Sequence, residues 1–333
     1  MTHDNAILTH YLAPLRTQLD APDVTELVIN RPREFAVETR QGWRWFDAPD
    51  LTEEAVWRIA VAACAATSQD VGPDRPVCST VLPTGERCQV VLPPAAEQAS
   101  ITLRKPGPAT FTLADLGGQG YFADVEDAVG ASRPGDDVLL TARANHDWVA
   151  FFTEAVLRRR NILISGPTGS GKTTFAKSLI QLIPEGERLI TIEDARELIV
   201  PHRNVVHLLY AKDGQGLAQV GPKALLESAL RMRPDRILLQ ELRDGSAFFY
   251  LRNVNTGHPG TITTIHANSA RLAFEQLTLL VKESEAGREL PRADINALLR
   301  TLVDIVVQVK REGGRFRIVE VWHEPHRPGA LAA

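Results

Sequence analysis

Cysteine is scarce in this chain. There are three in 333 residues, Cys64, Cys78 and Cys88, with no Cys-x-x-Cys pair. A disulfide scaffold and a cysteine-rich zinc site are excluded as organising devices, and a reducing compartment fits best. Long apolar runs are missing as well. No uninterrupted stretch approaches the roughly 18 residues of a membrane span, and the longest candidate, Ile59 to Ala66, reads as part of a helix. The first twenty residues lack the basic start and apolar centre of a secretory leader. Positive charge is not in excess: 37 Lys and Arg against 41 Asp and Glu give a net charge of −4. That argues against a dominant nucleic-acid surface and against sequence-specific reading of DNA or RNA. The 23 glycines and 21 prolines are too few for a collagen-like or disordered chain. Nine histidines show no HExxH spacing. What remains, 44% hydrophobic and 23% charged, is an ordinary folded composition with length for about two domains.

The organisation changes near the middle. Ile7, Leu8, Tyr11, Leu12, Leu15 and Leu19 stand at helical spacing. Strand-like runs follow at Glu26–Asn30, Glu34–Thr39 and Trp43–Phe46, then a helix over Thr52–Ala66 with Thr52 as N-cap. Val77–Leu82 and Arg87–Leu92 flank Pro83-Thr84-Gly85 as a hairpin, and Ser100–Arg104 is a further strand. Residues 1–108 thus read as an α+β domain. Residues 109–145, rich in glycine and proline, read as a linker with a short helix near Asp124–Val129. From 146 to 333, helices alternate with short apolar strands, as in an α/β domain with a mainly parallel sheet. Asp304–Lys310 and Arg315–Trp322, joined at Gly313-Gly314, read as its edge.

The strongest signal is Gly166-Pro167-Thr168-Gly169-Ser170-Gly171-Lys172-Thr173, which fits GxxxxGK[ST] at every fixed position. Its context is right: NILIS before it is a buried-strand run, and TFAKSLIQLI, starting at Thr174, is helical. Glycines let the backbone wrap a phosphate, and the amides of about Gly169–Thr173 point at anionic oxygens from a helix N-terminus. Lys172 places an ammonium on the β- and γ-phosphates, and the Thr173 hydroxyl faces Mg²⁺. This establishes a nucleoside triphosphate and leaves the kind of protein open.

Three acidic or histidine segments follow. LITI ends in Glu193-Asp194, where a carboxylate at a strand's carboxyl end lies near the ligand crevice. Two readings stay open there: a water- or Mg²⁺-orienting acid, or a helix N-cap by Asp194. Glu241 stands just past ILL, in the place of a Walker-B acid, with Arg243 as its alternative surface partner. His266 ends the alternating run Thr261–Ile265, either as a γ-phosphate sensor or as a structural histidine. Arg158-Arg159-Arg160 closes a helix at Val149–Leu157, which reads mainly as a helix-dipole arrangement and secondarily as attraction to acidic lipid.

The ordered run GPTGSGKTT, TIEDARELI, LRMRPDRILLQELRD and TGHPGTITTIHA resembles the traffic ATPases of type II and type IV secretion systems and their pilus relatives. The Vir-type branch of type IV systems is the nearest likeness, through LRMRPDRILL, NTGHPGTITTIHANS and AFEQLTLLV, with ITLRKP at 101–106 resembling the arginine-bearing strand of its N-terminal domain. The tetracysteine zinc module of some type II members is missing, which also favours type IV. The resemblance implies a RecA-like P-loop domain, a homohexameric ring, and a cytoplasmic location at the face of the inner membrane. It implies ATP with Mg²⁺, other secretion-system components as partners, and a transported protein or nucleoprotein as substrate. It further implies that ATP binds between the two domains.

Carried onto this chain, Lys172, Glu241, Glu193, His266 and Arg104 are the catalytic candidates. Gly166 to Thr174, with Arg104, Asp194 and Arg243, hold nucleotide; Thr173 and Glu241 hold Mg²⁺, in part through water. One departure is Gln240, where the family usually has glycine before the Walker-B acid. The expected function is an ATP-hydrolysing motor whose front domain closes through Arg104. The alternatives are a ring-forming assembly module with little turnover, a type II or pilus ATPase, a DNA-translocating motor, and a small-molecule kinase. The kinase lacks an arginine-rich lid in the sequence.

Overall fold

The computed structural model describes residues 3–106, 118, 135–211, 217–218, 220–255 and 257–324. The expected short helix at Asp124–Val129 lies outside them. In the front half, α1 (His3–Leu19) precedes β1 (Glu26–Ile29), β2 (Glu34–Thr39) and β3 (Gly42–Asp47); α2 (Glu53–Ala65) precedes β4 (Val77–Val81), β5 (Arg87–Val91) and β6 (Ser100–Arg104). The six strands form one antiparallel sheet in the order β3-β2-β1-β6-β5-β4. Leu8, Leu12, Leu15 and Leu19 recur on one stripe of α1 and pack with Val56, Ile59, Ala60 and Ala63 of α2 over Leu27, Ile29, Val37, Ile101 and Leu103. Thr52 caps α2 as expected, its hydroxyl accepting from the Ala55 amide.

The second half starts earlier than its strand pattern suggests. Asp136–Ala144, inside the stretch read as linker, forms α3, with Gly135 in the left-handed region (φ 82°) at its N-cap. It packs on α4 (Trp148–Leu157) through Leu139 and Ala142 against Phe151, Phe152 and Ala155. Gly135 starts this helix rather than prolonging a loop. Then come β7 (Ile162–Ser165), α5 (Lys172–Ile180), β8 (Leu189–Glu193), β9 (Val205–Leu209), α6 (Pro222–Ala229), β10 (Arg236–Leu239), β11 (Glu241–Leu242), α7 (Ser246–Asn255), β12 (Ile262–Ile265), α8 (Ala270–Glu283), α9 (Arg292–Leu302), β13 (Ile305–Glu312) and β14 (Arg315–His323).

Two hydrogen-bonded sheets arise, β10-β8-β9 and β11-β12-β7-β13-β14, parallel except for β13 with β14. They meet at Gln240. Its amide donates to Ile192 O of β8 at 3.1 Å, and its carbonyl accepts from Thr264 Oγ1 of β12 at 3.0 Å. The strand 236–242 therefore pairs first with one neighbour and then with the other. Alternate strand residues enter opposite cores: Ile162 and Ile164 one side, Leu163 the other; Ile305 and Val307 one side, Val306 the other. A sheet buried on both faces between helices is what continuous apolar strand runs specify.

The arginine triplet is consumed within the fold. Arg160, 6% exposed, pairs with Asp136 at 2.8 Å; Arg158 pairs with Glu154 at 3.0 Å; Arg159 lies 3.5 Å from Glu187. These pairs, rather than a free cationic end, are its structural use.

Candidate active site

The phosphate loop leaves β7 at Gly166 and enters α5 at Lys172. Its glycines answer local demands. A Cβ on Gly166 would stand 2.5 Å from both Ser170 Oγ and Val309 O, and Gly169 and Gly171 hold φ of +72° and +96°. Ser170 is buried, and its hydroxyl has no hydrogen-bond partner among the described residues. A polar atom in that state, in a loop whose Gly169 and Gly171 hold positive φ, fits an oxygen-rich ligand.

Lys172 is also buried, its Nζ donating to Gly166 O at 2.8 Å and Pro167 O at 3.1 Å. Burial pulls its pKa below the usual lysine range; Glu241 opposes this, and Arg243 adds to it. The ammonium also lies 3.3 Å from His266 Nδ1. On the other side of the ring, Nε2 stands 2.5 Å from Glu241 Oε1. Nδ1 can accept from the lysine, whereas Nε2 meets the carboxylate as a close contact without hydrogen-bond geometry. Arg243 then donates from Nε to Glu241 Oε2 at 2.7 Å and from Nη1 to Asp194 Oδ2 at 2.8 Å. The bond to Glu241 is the first cause of a raised Arg243 pKa, so its charge is permanent.

The result is a connected polar chain, Lys172–His266–Glu241–Arg243–Asp194, in which the histidine links a cation to an anion. Its members come from the loop after β7 and from the carboxyl ends of β12, β10/β11 and β8, where ligands of parallel α/β sheets sit. Five separately expected residues are thus brought together. Among the described residues no group of three or more His, Cys, Asp or Glu is arranged to hold a metal by itself. Any divalent ion here would depend on ligand oxygens.

The comparisons with known proteins are in keeping with this geometry. The family model described as "Type II/IV secretion system protein" matches residues 142–315. The type IV secretion system protein VirB11 of Bartonella quintana (strain Toulouse) is 48% identical over 335 aligned positions, covering 97% of this chain and 94% of its own. That of Brucella suis biovar 1 is 42% identical, covering 98% and 93%. The crystal structure of the VirB11 ATPase from the Brucella suis type IV secretion system, in complex with sulphate, matches with a TM-score of 0.91 at 41% identity over 96% of this chain and 95% of that one. The chain belongs to the VirB11 family of type IV secretion ATPases. It is an ATP-hydrolysing enzyme of that family.

Two residues expected at the VirB11-type site are placed apart from the polar chain. Glu193 is fully buried. Its Oε2 accepts from the Glu197 and Leu198 amides at 2.8 and 2.7 Å, and its Oε1 from Thr191 Oγ1 at 2.9 Å. Burial raises its pKa, but His207, these amides and Thr191 outweigh it and hold the carboxyl below the usual range. Its oxygens shape the loop behind β8.

Arg104 is the second. The register of β1 against β6 sets it opposite Glu26, whose Oε1 lies 3.4 Å from its Nε. It lines a cavity of about 590 Å³ with Arg87, Arg231, Arg233 and His258, in which no residue of the phosphate loop takes part. No hydrogen bond or ion pair among the described residues joins the front domain to residues 166–174. Pairing of β6 with β1 thus sets Arg104 beside Glu26, with its side chain exposed. Sequence reasoning also missed Phe316, whose ring contacts the loop at Gly171. Phe316 sits two residues past Gly314, 145 positions from the loop, and only the tertiary fold joins them.

Proposed function

We propose that residues 166–174 bind the triphosphate of ATP with Mg²⁺, and that Glu241 orients the water that attacks the γ-phosphate. The observation that carries this is the connected polar chain from Lys172 to Asp194. Lys172 exchanges its bonds to the loop carbonyls for phosphate oxygens, and the amides and Ser170 hydroxyl receive the remaining charge. His266 touches both Lys172 and Glu241, so it reports phosphate occupancy to the acid that handles water. Arg243 holds Glu241 in place through its Oε2.

Mg²⁺, when bound with ATP, supplies positive charge against the β- and γ-phosphates; the Thr173 hydroxyl and Glu241 are the residues that would hold it. The unpartnered Ser170 hydroxyl and the oxygen donors of Thr173 and Glu241 suit such an oxygen-liganded ion. Glu193 acts here through the loop it fixes, as a positioning residue.

We further propose that the protein works as a homohexameric ring of a type IV secretion system at the cytoplasmic face of the inner membrane. It would drive transfer of protein or nucleoprotein or assembly of the apparatus. Family membership supports this. The exposed Arg104, unused at its own loop, suits delivery to a neighbouring copy in such a ring.

The test is Mg²⁺-dependent ATP hydrolysis with size analysis. Lys172→Ala should lose nucleotide binding and turnover together. Glu241→Gln should keep ATP binding and ring size while hydrolysis falls at least a hundredfold. Full turnover in Lys172→Ala would sink the assignment; no turnover in wild type with a nucleotide-dependent ring would favour the assembly module.

A further inference from the structure

We infer that Phe316, backed by Arg311, is the platform on which the base of the bound nucleotide stacks. The inference rests on the reading that residues 166–174 hold the triphosphate, and it deepens that reading by naming what selects the rest of the ligand.

The β13–β14 hairpin overhangs the phosphate loop. β13 runs parallel to β7 from Ile305 to Gln308 and continues past the point where β7 turns into the loop. There Val309 O closes on Gly166. A bulge between Gln308 and Val309 shifts the register, so β14 returns with Phe316 opposite Arg311. Bulges bend and twist a strand, and this one aims the hairpin's end across the loop. The Phe316 ring lies 2.9 Å from where a Cβ on Gly171 would stand. Gly171 is the residue immediately before Lys172, at the mouth of α5.

Phe316 belongs to none of the three apolar cores and is 57% exposed. The Arg311 guanidinium lies 5.6 Å from its ring centroid and holds one face. Packing therefore gives this ring no reason to be aromatic. A nucleotide does. With phosphates on the amides of 169–173, the ribose leads outward from the loop's rim, and the base comes to rest about one sugar's length away. A rigid ring in contact with that rim is placed to take its π-face. Stacking recognises a face rather than an edge pattern, so the ligand class is a nucleoside triphosphate, with little discrimination among bases at this platform.

The experiment compares Phe316→Ala, Phe316→Leu and Phe316→Trp with wild type in binding ATP and inorganic tripolyphosphate, and in turnover. Phe316→Leu keeps apolar cover over Gly171 but removes the ring, which separates stacking from support of the loop. The Ala and Leu variants should bind ATP about tenfold more weakly, bind tripolyphosphate as wild type does, and raise KM with little change in kcat. Phe316→Trp should restore ATP affinity, and its added fluorescence should change with ATP and not with tripolyphosphate. Unchanged ATP affinity in the Ala and Leu variants overturns the platform. So does an equal loss for ATP and tripolyphosphate, which would make Phe316 a support of the loop. Failure of wild type to bind tripolyphosphate, or its unchanged binding in Lys172→Ala, would instead strike the underlying reading of the loop.

Discussion

Single side chains in this protein titrate against their surroundings in opposite directions, and Glu26 is the clearest. It is 3% exposed, and Oε2 has no hydrogen-bond partner among the described residues. Burial pushes its carboxyl up to about 7. Arg104 pulls it down, Glu38 raises it, and Arg233 and Arg188 lower it without cancelling the rise. The folded protein therefore holds this proton more tightly than the unfolded chain, whose carboxyl titrates near 4.5. The stabilisation is fully present below about 4.5 and is lost as pH rises through 7. Glu26→Gln should flatten this part of the stability profile, so that its melting temperature falls less than that of wild type between pH 5 and pH 8. Parallel profiles would refute the assignment. The three thiols behave differently: all are buried and free, and Cys64 and Cys88 are pushed far above the usual thiol range, Cys64 by its hydrogen bond with Cys78 and then burial, Cys88 by burial. They pack as small apolar groups.

Among the elements, the strand 236–242 governs the geometry of the acid. Residues before Gln240 are fixed by β8, and residues after it by β12. A glycine there would need only backbone; here a buried glutamine side chain occupies the same change of partner. Thr264→Val deletes the hydroxyl that donates to Gln240 O. We expect a stability loss of about 1 kcal/mol in urea titration, and a fall in kcat with little change in KM, since Glu241 is carried by the loosened strand.

This scale also shows what sequence could reveal. The loop, its strand and its helix are contiguous, so composition and spacing displayed them. The six front strands were legible because breakers bound each of them. Helix α3 was hidden because Pro134-Gly135 resembles a linker locally, and only packing against Phe151 and Phe152 shows otherwise. Helix α6 is set by Pro222, which stands at its first turn and starts it. The site was legible residue by residue, yet its connections were not. That Arg243 joins Glu241 to Asp194, and that Arg104 turns to Glu26, depend on strand order and register.

The whole molecule is held together by a polar seam between its halves. Arg188 is completely buried, and burial draws its pKa down to about 9 against the pull of Glu26 and Asp235. Its Nη1 donates to Asn30 Oδ1 at 2.7 Å and to Asn204 Oδ1 at 2.6 Å, and its Nε to Met232 O at 2.8 Å. Asn30 donates to Asn204 at 2.9 Å, and Arg233 pairs with Glu38 at 2.5 Å. Beside these, Val91, Ala95 and Ala96 of the front half enter the core of the second. Arg188→Met should deprive Asn30 Oδ1 and Met232 O of their arginine donor and cost about 2 kcal/mol. Urea unfolding should show it, and limited proteolysis should cut faster between the halves. Wild-type stability in that variant would count against a role for the seam.

The same seam sets a rule for exchanging parts. Arg188 comes from the second half, while Asn30 and the Thr102 hydroxyl, 3.4 Å from its Nη2, come from the first. A front half transplanted from a relative must bring an amide and a hydroxyl to those two places, or it encloses a cation whose protons are received only by Asn204 and Met232 on its own side. The halves are therefore matched pieces, and a chimera that respects every secondary-structure boundary still fails if it ignores one arginine.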